Sequence, residues 1–268
     1  MEAETFLNQE FVSKINKIAI DSGKKIMAVY ERDFDIYEKK DESPLTEADL
    51  ASHHHIINEL TALDAGFPIL SEESADIDWS ERQSWQTYWL VDPLDGTKEF
   101  IKKNGEFTVN IALIHQNRPV LGVVYAPVID ILYYASNEIG AWKLDSGTTN
   151  KINVSVKAEN PVRVVGSRSH QSDAMTEYLS QYPSHKLIPM GSSLKLCLVA
   201  EGKADLYPRL GPTCEWDTAA AHAIVNAAGG RCVIFDEKNN SEAEDLTYNT
   251  KESLLNPYFI VKGPVINE

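Results

Sequence analysis

Hydrophobic positions along the chain follow two rhythms. Leu7, Phe11, Ile15, Ile18, Ile26 and Tyr30 recur at close to helical spacing, so residues 5–31 read as an amphipathic helix with a break expected near Gly23. A short strand is expected over Asp33–Tyr37, and the charged run Glu38–Glu42 reads as a solvated loop. A second helix opens at Ser43–Asp49, with Leu50, Ile57 and Leu60 turned inward and Thr46 and Asp49 at capping-box spacing. Phe67–Ser71 and Tyr88–Val91 are buried strands. From Phe107 to Leu144, runs rich in Val, Ile and Tyr break at Gln116–Pro119, Pro127 and Asn137–Glu138, the pattern of an antiparallel meander.

The polar stretch Asp145–Asn150 is the expected domain boundary. Beyond it strands and helices alternate: strand Val162–Val165, helix Asp173–Gln181, helix Leu194–Glu201, strand Ala204–Tyr207, helix Trp216–Ala228, closing strand Arg231–Phe235. Gly229–Gly230 should stop the alanine-rich helix through a left-handed cap. The pattern predicts an α/β protein: an α+β subdomain over 1–150 and an α/β subdomain over 151–268.

Composition narrows the class. With 43% hydrophobic and 24% charged residues among 268, a folded core is expected. No apolar run is long enough to span a membrane, and the acidic first residues are unlike a secretory leader, so a cytoplasmic protein is expected. Cys197, Cys214 and Cys232 have no disulfide or zinc spacing. The net charge of −15 disfavours long nucleic acid; if the ligand is an anion, a bound cation must bridge it to the protein.

Trp89–Leu–Val–Asp–Pro–Leu–Asp–Gly–Thr97 concentrates the chemistry. Pro93 should end the strand, and Asp95–Gly96 favours a turn. Asp92, Asp95 and the Leu94 carbonyl can then converge as hard oxygen ligands for Mg²⁺ or Mn²⁺. An Asx turn at Asp95 explains the stretch equally well. If the two buried strands are neighbours, their ends place Glu72 beside Asp92. Asp217, taken alone, reads as a first-turn helix carboxylate. Joined with the others it makes a four-carboxylate cluster, which needs cations to offset its repulsion. Such a cluster predicts two or more divalent ions roughly 3.5–4 Å apart on a phosphoryl group, with water as nucleophile. Asp49 and Thr97 could relay the proton, and the N–H groups of Gly96 and Thr97 could meet phosphate oxygens. His53–His55 are expected to be solvated, since successive helical side chains diverge by about 100°.

Asp92–Pro–Leu–Asp–Gly–Thr97, Ser71–Glu–Glu–Ser74 and Trp216–Asp–Thr–Ala219 together resemble the signature of the inositol monophosphatase superfamily. Gly191–Arg209 and Leu254–Leu–Asn–Pro–Tyr258 resemble its bisphosphate nucleotidase branch. The resemblance implies a five-layer αβαβα sandwich and Mg²⁺-dependent, lithium-sensitive hydrolysis of adenosine 3′,5′-bisphosphate to AMP in sulfur metabolism. The related 3′-phosphoadenosine phosphosulfate is a second implied substrate. By motif position, Glu72, Asp92 and the Leu94 carbonyl match one metal's ligands, and Asp92, Asp95 and Asp217 a second's; two or three ions are implied. Asp49 and Thr97 match the proton-relay pair. Glu72, Leu94, Asp95, Gly96, Thr97 and Asp217 border the substrate, while Ser167, Arg168, His170, Gly191 and Lys195 match nucleotide-gripping positions. For bacterial relatives the resemblance also implies peripheral contact with the cytoplasmic face of the inner membrane. The rival readings are an inositol monophosphatase or fructose-bisphosphatase on the same scaffold, a hydrolase of short oligonucleotides, and a non-catalytic nucleotide-binding regulator.

Overall fold

The computed structural model describes residues 6–38, 44–63, 65–166 and 173–263. Helix α1 (Gln9–Tyr30) is followed by the antiparallel pair β1 (Ile36–Glu38) and β2 (Pro44–Thr46), then α2 (Glu47–Ala62). Strand β3 (Ile69–Ser71) runs into a 3₁₀ turn at Glu72–Ser74 and the short helix α3 (Trp79–Arg82). Next come β4 (Thr87–Asp95), α4 (Thr97–Ile101) and the meander β5 (Thr108–His115), β6 (Arg118–Ala126), β7 (Ile131–Ser136), β8 (Gly140–Asp145) and β9 (Thr148–Lys151). The second half holds β10 (Val162–Gly166), α5 (Asp173–Leu179), β11 (His185–Pro189), α6 (Leu194–Ala200) and β12 (Leu206–Arg209). A 3₁₀ turn at Glu215–Asp217 leads into α7 (Ala219–Ala227), then β13 (Arg231–Asp236), β14 (Ser241–Asp245) and β15 (Phe259–Lys262).

Strands β3 to β9 form a seven-stranded sheet in sequence order, parallel only at β3–β4. The second sheet runs β11-β10-β12-β15-β13-β14, with β10 parallel to β11 and β12 and the remaining pairs antiparallel. Strand alternation then sets the layers. Trp89 and Val91 of β4 face a core shared with α1 and α2, whereas Tyr88 and Leu90 face a core shared with α6 and α7. The second sheet sends Val165, Tyr207 and Val261 to that same middle core. Its other face packs Val164, Leu206 and Ile260 against Met175, Tyr178 and Leu179 of α5. Helices, sheet, helices, sheet, helix: the result is the expected five-layer sandwich.

Several local expectations change. Helix α1 runs through Gly23 without a break. A Cβ there would sit 2.4 Å from the Tyr125 ring, so the glycine serves close approach to β6. Leu50 is exposed and Ile57 half-buried; α2 instead buries Ala48, Asp49, Ser52, His53, Ile56 and Leu60. Pro93 does not end β4, because a bulge between Asp92 and Asp95 absorbs it. Arg231–Asp236 is not the closing strand: β14 and β15 follow, and β15 inserts between β12 and β13. Gly229 does stop α7 at φ +89°. The charged run falls almost wholly outside the described residues. No helix among the described residues is long and apolar enough to cross a membrane.

Candidate active site

Ser71 pairs with Val91 in the parallel β3–β4 register, so the residues that follow lie side by side, Glu72 just past the end of β3 and Asp92 within β4 at the start of its bulge. The bulge after Asp92 turns the chain over Pro93 and Leu94 and brings Asp95 back toward the same point. The Leu94 N–H donates to Asp92 Oδ1 at 3.0 Å, which fixes that carboxylate. Asp217 arrives from the other half of the molecule on the turn before α7, where it accepts the Cys214 N–H at 2.9 Å. Carboxylate oxygens of Asp92, Asp95 and Asp217 lie within 4.8 Å of one another. Acids of two separated segments therefore meet in a close trio, and Glu72 stands near enough for its charge to act on Asp92.

Gly122 makes this meeting possible. A Cβ at that position on β6 would stand 2.0 Å from the Ala220 carbonyl, so only glycine lets α7 lie this close to the first sheet.

The cluster is electrostatically strained as long as it holds only protein groups. Burial, and then the charges of Glu72, Asp95 and Asp217, push the Asp92 carboxyl well above its ordinary range. Burial raises Asp217 to about 8, with the Asp95 charge next in weight. Burial also raises Asp95, to about 6, against the lowering effects of the Lys195 ammonium and the Ser193 N–H. That N–H donates to Asp95 Oδ2 at 2.5 Å, and the Ser193 hydroxyl donates to Asn110 Oδ1 at 2.8 Å. Oxygen-only donors, converging and mutually repelling, with Asp92 buried and Asp95 and Asp217 half-buried, fit a hard divalent cation such as Mg²⁺.

Helix α2 bears on the same point through one face. The Thr97 hydroxyl donates to Asp49 Oδ1 at 3.2 Å and lies 3.5 Å from the Leu94 carbonyl. Asp49 Oδ2 takes the Thr46 N–H and hydroxyl at 2.8 and 2.6 Å, closing the capping box. Ser52 donates to the Pro93 carbonyl at 2.6 Å, and His53 Nδ1 is bonded to the Ser71 hydroxyl at 2.9 Å. His53 is thus buried beside the strand end that carries Glu72, and its expected solvation does not hold.

A cavity of about 360 Å³ opens beside the acids. Asp95, Gly96 and Asp217 line it together with Gly191, Lys195, Tyr207, Arg209, Glu99 and Glu106. Gly191 has no room for a Cβ, since Glu106 would lie 2.9 Å away. The sequence pattern assigns no role to Tyr207, Ser193 or Arg209. Tyr207 and Arg209 lie two apart on β12, and that period-two spacing was the available signal. Ser167, Arg168 and His170 lie outside the described residues.

The model of the inositol monophosphatase family matches residues 7–262. A 3′(2′),5′-bisphosphate nucleotidase CysQ of Salmonella typhimurium is 51% identical over 252 residues, covering 93% of this chain and 98% of its own. The protein of that name from Escherichia coli K12 is 49% identical over the same shares. The crystal structure of CysQ from Bacteroides thetaiotaomicron, described as a bacterial member of the inositol monophosphatase family, superposes with a TM-score of 0.82 at 43% identity, over 96% of this chain and 100% of that one. Thermotoga maritima IMPase shares the fold with a TM-score of 0.75 at 24% identity, over 96% and 94% of the two chains. On this evidence the chain belongs to the inositol monophosphatase family.

Proposed function

We propose that the chain is a Mg²⁺-dependent 3′(2′),5′-bisphosphate nucleotidase that hydrolyses adenosine 3′,5′-bisphosphate to AMP and phosphate, with 3′-phosphoadenosine phosphosulfate as a second substrate. The observation that carries this reading is the convergence of Asp92, Asp95 and Asp217 within 4.8 Å beside a cavity that Lys195 and Arg209 also line. Identity of about half to proteins named as such nucleotidases supports the choice of substrate.

Glu72, Asp92 and the Leu94 carbonyl would hold one Mg²⁺, and Asp92, Asp95 and Asp217 a second. Bound there, Mg²⁺ supplies Lewis-acid stabilisation of charge on the phosphoryl oxygens and makes water more acidic. The chain's own part is proton handling and orientation. Thr97 commits its hydroxyl hydrogen to Asp49, so its oxygen is left to accept the proton of the attacking water. Asp49, 1% exposed and held by Thr46, keeps that orientation fixed. Water attacks phosphorus, the bond to the 3′-oxygen breaks with its electron pair, and that oxygen takes up a proton. Gly96 leaves the backbone open to the phosphoryl group at the cavity wall. Lys195 and Arg209 receive the second phosphate, where charge-assisted hydrogen bonds are strong.

On this reading residues 1–150 supply most of the metal ligands and residues 151–268 the nucleotide contacts, with Asp217 joining the two. A cytoplasmic location goes with it; contact with the inner membrane plays no part in the chemistry. The test is phosphate release from adenosine 3′,5′-bisphosphate, inositol monophosphate and fructose 1,6-bisphosphate, with Mg²⁺, EDTA or Li⁺. Preference for the nucleotide, loss with EDTA and inhibition by Li⁺ are expected. Preference for the inositol ester would refute the assignment, and no turnover at all would favour a binding protein.

A further inference from the structure

The motif Leu254–Tyr258 has no place in the catalytic scheme, yet it lies directly beneath the turn that presents Asp217. Asn256, 9% exposed, donates from Nδ2 to the Cys214 carbonyl at 2.8 Å and to the Thr218 hydroxyl oxygen at 3.1 Å. These two residues flank the turn Glu215–Asp217 on either side. Its backbone N–H donates to the Thr213 carbonyl at 2.8 Å, and the Glu215 N–H donates to the Leu254 carbonyl at 2.8 Å. Cys214 in turn gives its N–H to the Asp217 carboxylate. One side-chain amide therefore ties both ends of the turn to a neighbouring loop, one bond away from a metal-site carboxylate.

The far end of that loop is anchored as well. The Asn249 N–H reaches both carboxylate oxygens of Glu215 at 3.0 and 2.9 Å. Its side chain exchanges two hydrogen bonds with Arg82, at 2.8 and 2.6 Å. Arg82 belongs to the segment that follows Glu72, so the brace runs from one metal-site segment to another. Neither Asn249 nor Asn256 lines the cavity.

We propose that Asn256 is a positioning residue that sets Asp217 at the separation from Asp92 and Asp95 that a divalent cation requires. The inference rests on the reading that these acids bind metal. Asp217 is the one member of the close trio that enters from the second half of the chain, so repulsion from Asp92 and Asp95 acts directly on its mounting. Asn256→Asp keeps the shape and replaces the donor with an oxygen facing the Cys214 carbonyl, a contact that no reorientation can restore. The added negative charge by itself would tighten cation binding. Weaker binding must then come from a displaced turn.

The experiment measures Mn²⁺ binding to the substrate-free full chain, from loss of the free-ion electron paramagnetic resonance signal. Parent, Asn256→Asp, Asn256→Ser, Asp217→Asn and the remote control Asp205→Asn are compared, with thermal midpoints recorded alongside. Asp205→Asn breaks the Arg163–Asp205 pair in the second half and lowers stability away from the acids. Asn256→Asp should weaken Mn²⁺ binding by roughly tenfold or more, as loss of outer hydrogen bonds around metal ligands does. Asn256→Ser, which keeps a short donor, should fall between it and the parent, and it carries the comparison if Asn256→Asp does not fold. Asp205→Asn should bind as the parent does despite its lower midpoint. Parent-like Mn²⁺ affinity in the folded Asn256 variants would overturn the inference alone. Failure of the parent to bind Mn²⁺, or parent-like binding by Asp217→Asn, would overturn the metal reading beneath it.

Discussion

One carboxylate carries two duties at Asp49: Oδ2 receives the Thr46 N–H and hydroxyl and closes the start of α2, while Oδ1 receives the Thr97 hydroxyl at 3.2 Å. The helix cap and the proposed proton relay are therefore a single arrangement, because the cap holds the side chain facing Thr97. A carboxylate that served only the cap would have no reason to meet a residue 48 positions away.

Removing the relay should slow chemistry without weakening substrate capture. Thr97→Val is expected to lower kcat by roughly 10²- to 10⁴-fold, the range for general acid–base groups, while Thr97→Ser retains most of it. Asp49→Asn should show the same kinetic loss and also destabilise the fold by about 1 kcal/mol through the weakened cap. Steady-state kinetics and urea unfolding separate the two effects.

The second phosphate should be read by the cations that line the cavity. Lys195→Met is expected to raise KM for adenosine 3′,5′-bisphosphate by roughly 10- to 100-fold, the scale of one charge-assisted hydrogen bond. Its effect on adenosine 3′-monophosphate, which lacks that phosphate, should be much smaller. Equal losses on the two substrates would place Lys195 at the reacting phosphoryl group instead.

Gly122→Ala tests how closely α7 must approach the first sheet. The new Cβ would meet the Ala220 carbonyl at 2.0 Å, so the helix must shift. Overpacking of this kind costs about 1–3 kcal/mol. Because α7 follows Asp217 directly, metal affinity should fall with stability, measurable by chemical denaturation and Mn²⁺ titration.

Proton linkage has a definite sign here. Asp95 at about 6 and Asp217 at about 8 hold protons in the metal-free fold that the unfolded chain, with ordinary carboxylates, releases near pH 4. The native state thus binds more protons between roughly pH 4 and 8, and metal-free stability falls as pH rises through that window. A divalent cation requires the ionised acids, so its binding releases protons and tightens with pH over the same window. Calorimetry in buffers of differing ionisation enthalpy counts the protons released at pH 6, 7 and 8. Release that grows with pH would contradict the sign.

The parts legible in the sequence were those written locally. Buried runs reaching Ser71 and Val91 brought Glu72 and Asp92 together, although β4 runs on to Asp95, and the capping-box spacing exposed Asp49. The rest depends on contacts made at long range. Gly23 reads as a helix breaker until Tyr125 is seen against it, and Pro93 as a terminator until the bulge is seen to absorb it. The histidine triplet concealed that His53, four residues after Asp49, shares its helical face and meets Ser71. Asp217 could be placed with the other acids only through a resemblance, since no pattern around its own turn points across 122 residues to Asp95. The Arg82–Asn249 bonds left no trace in spacing at all.

The central claim is that acids from three distant segments jointly hold the metal on which phosphate release depends. The most direct measurement follows phosphate release from adenosine 3′,5′-bisphosphate by chain stripped with EDTA, as Mg²⁺ is titrated back, in parallel with Asp95→Asn. The account predicts no release without Mg²⁺, full recovery in the parent, and a folded variant that stays silent at every Mg²⁺ concentration. Release by the stripped parent, or parent-like turnover by Asp95→Asn, would contradict it.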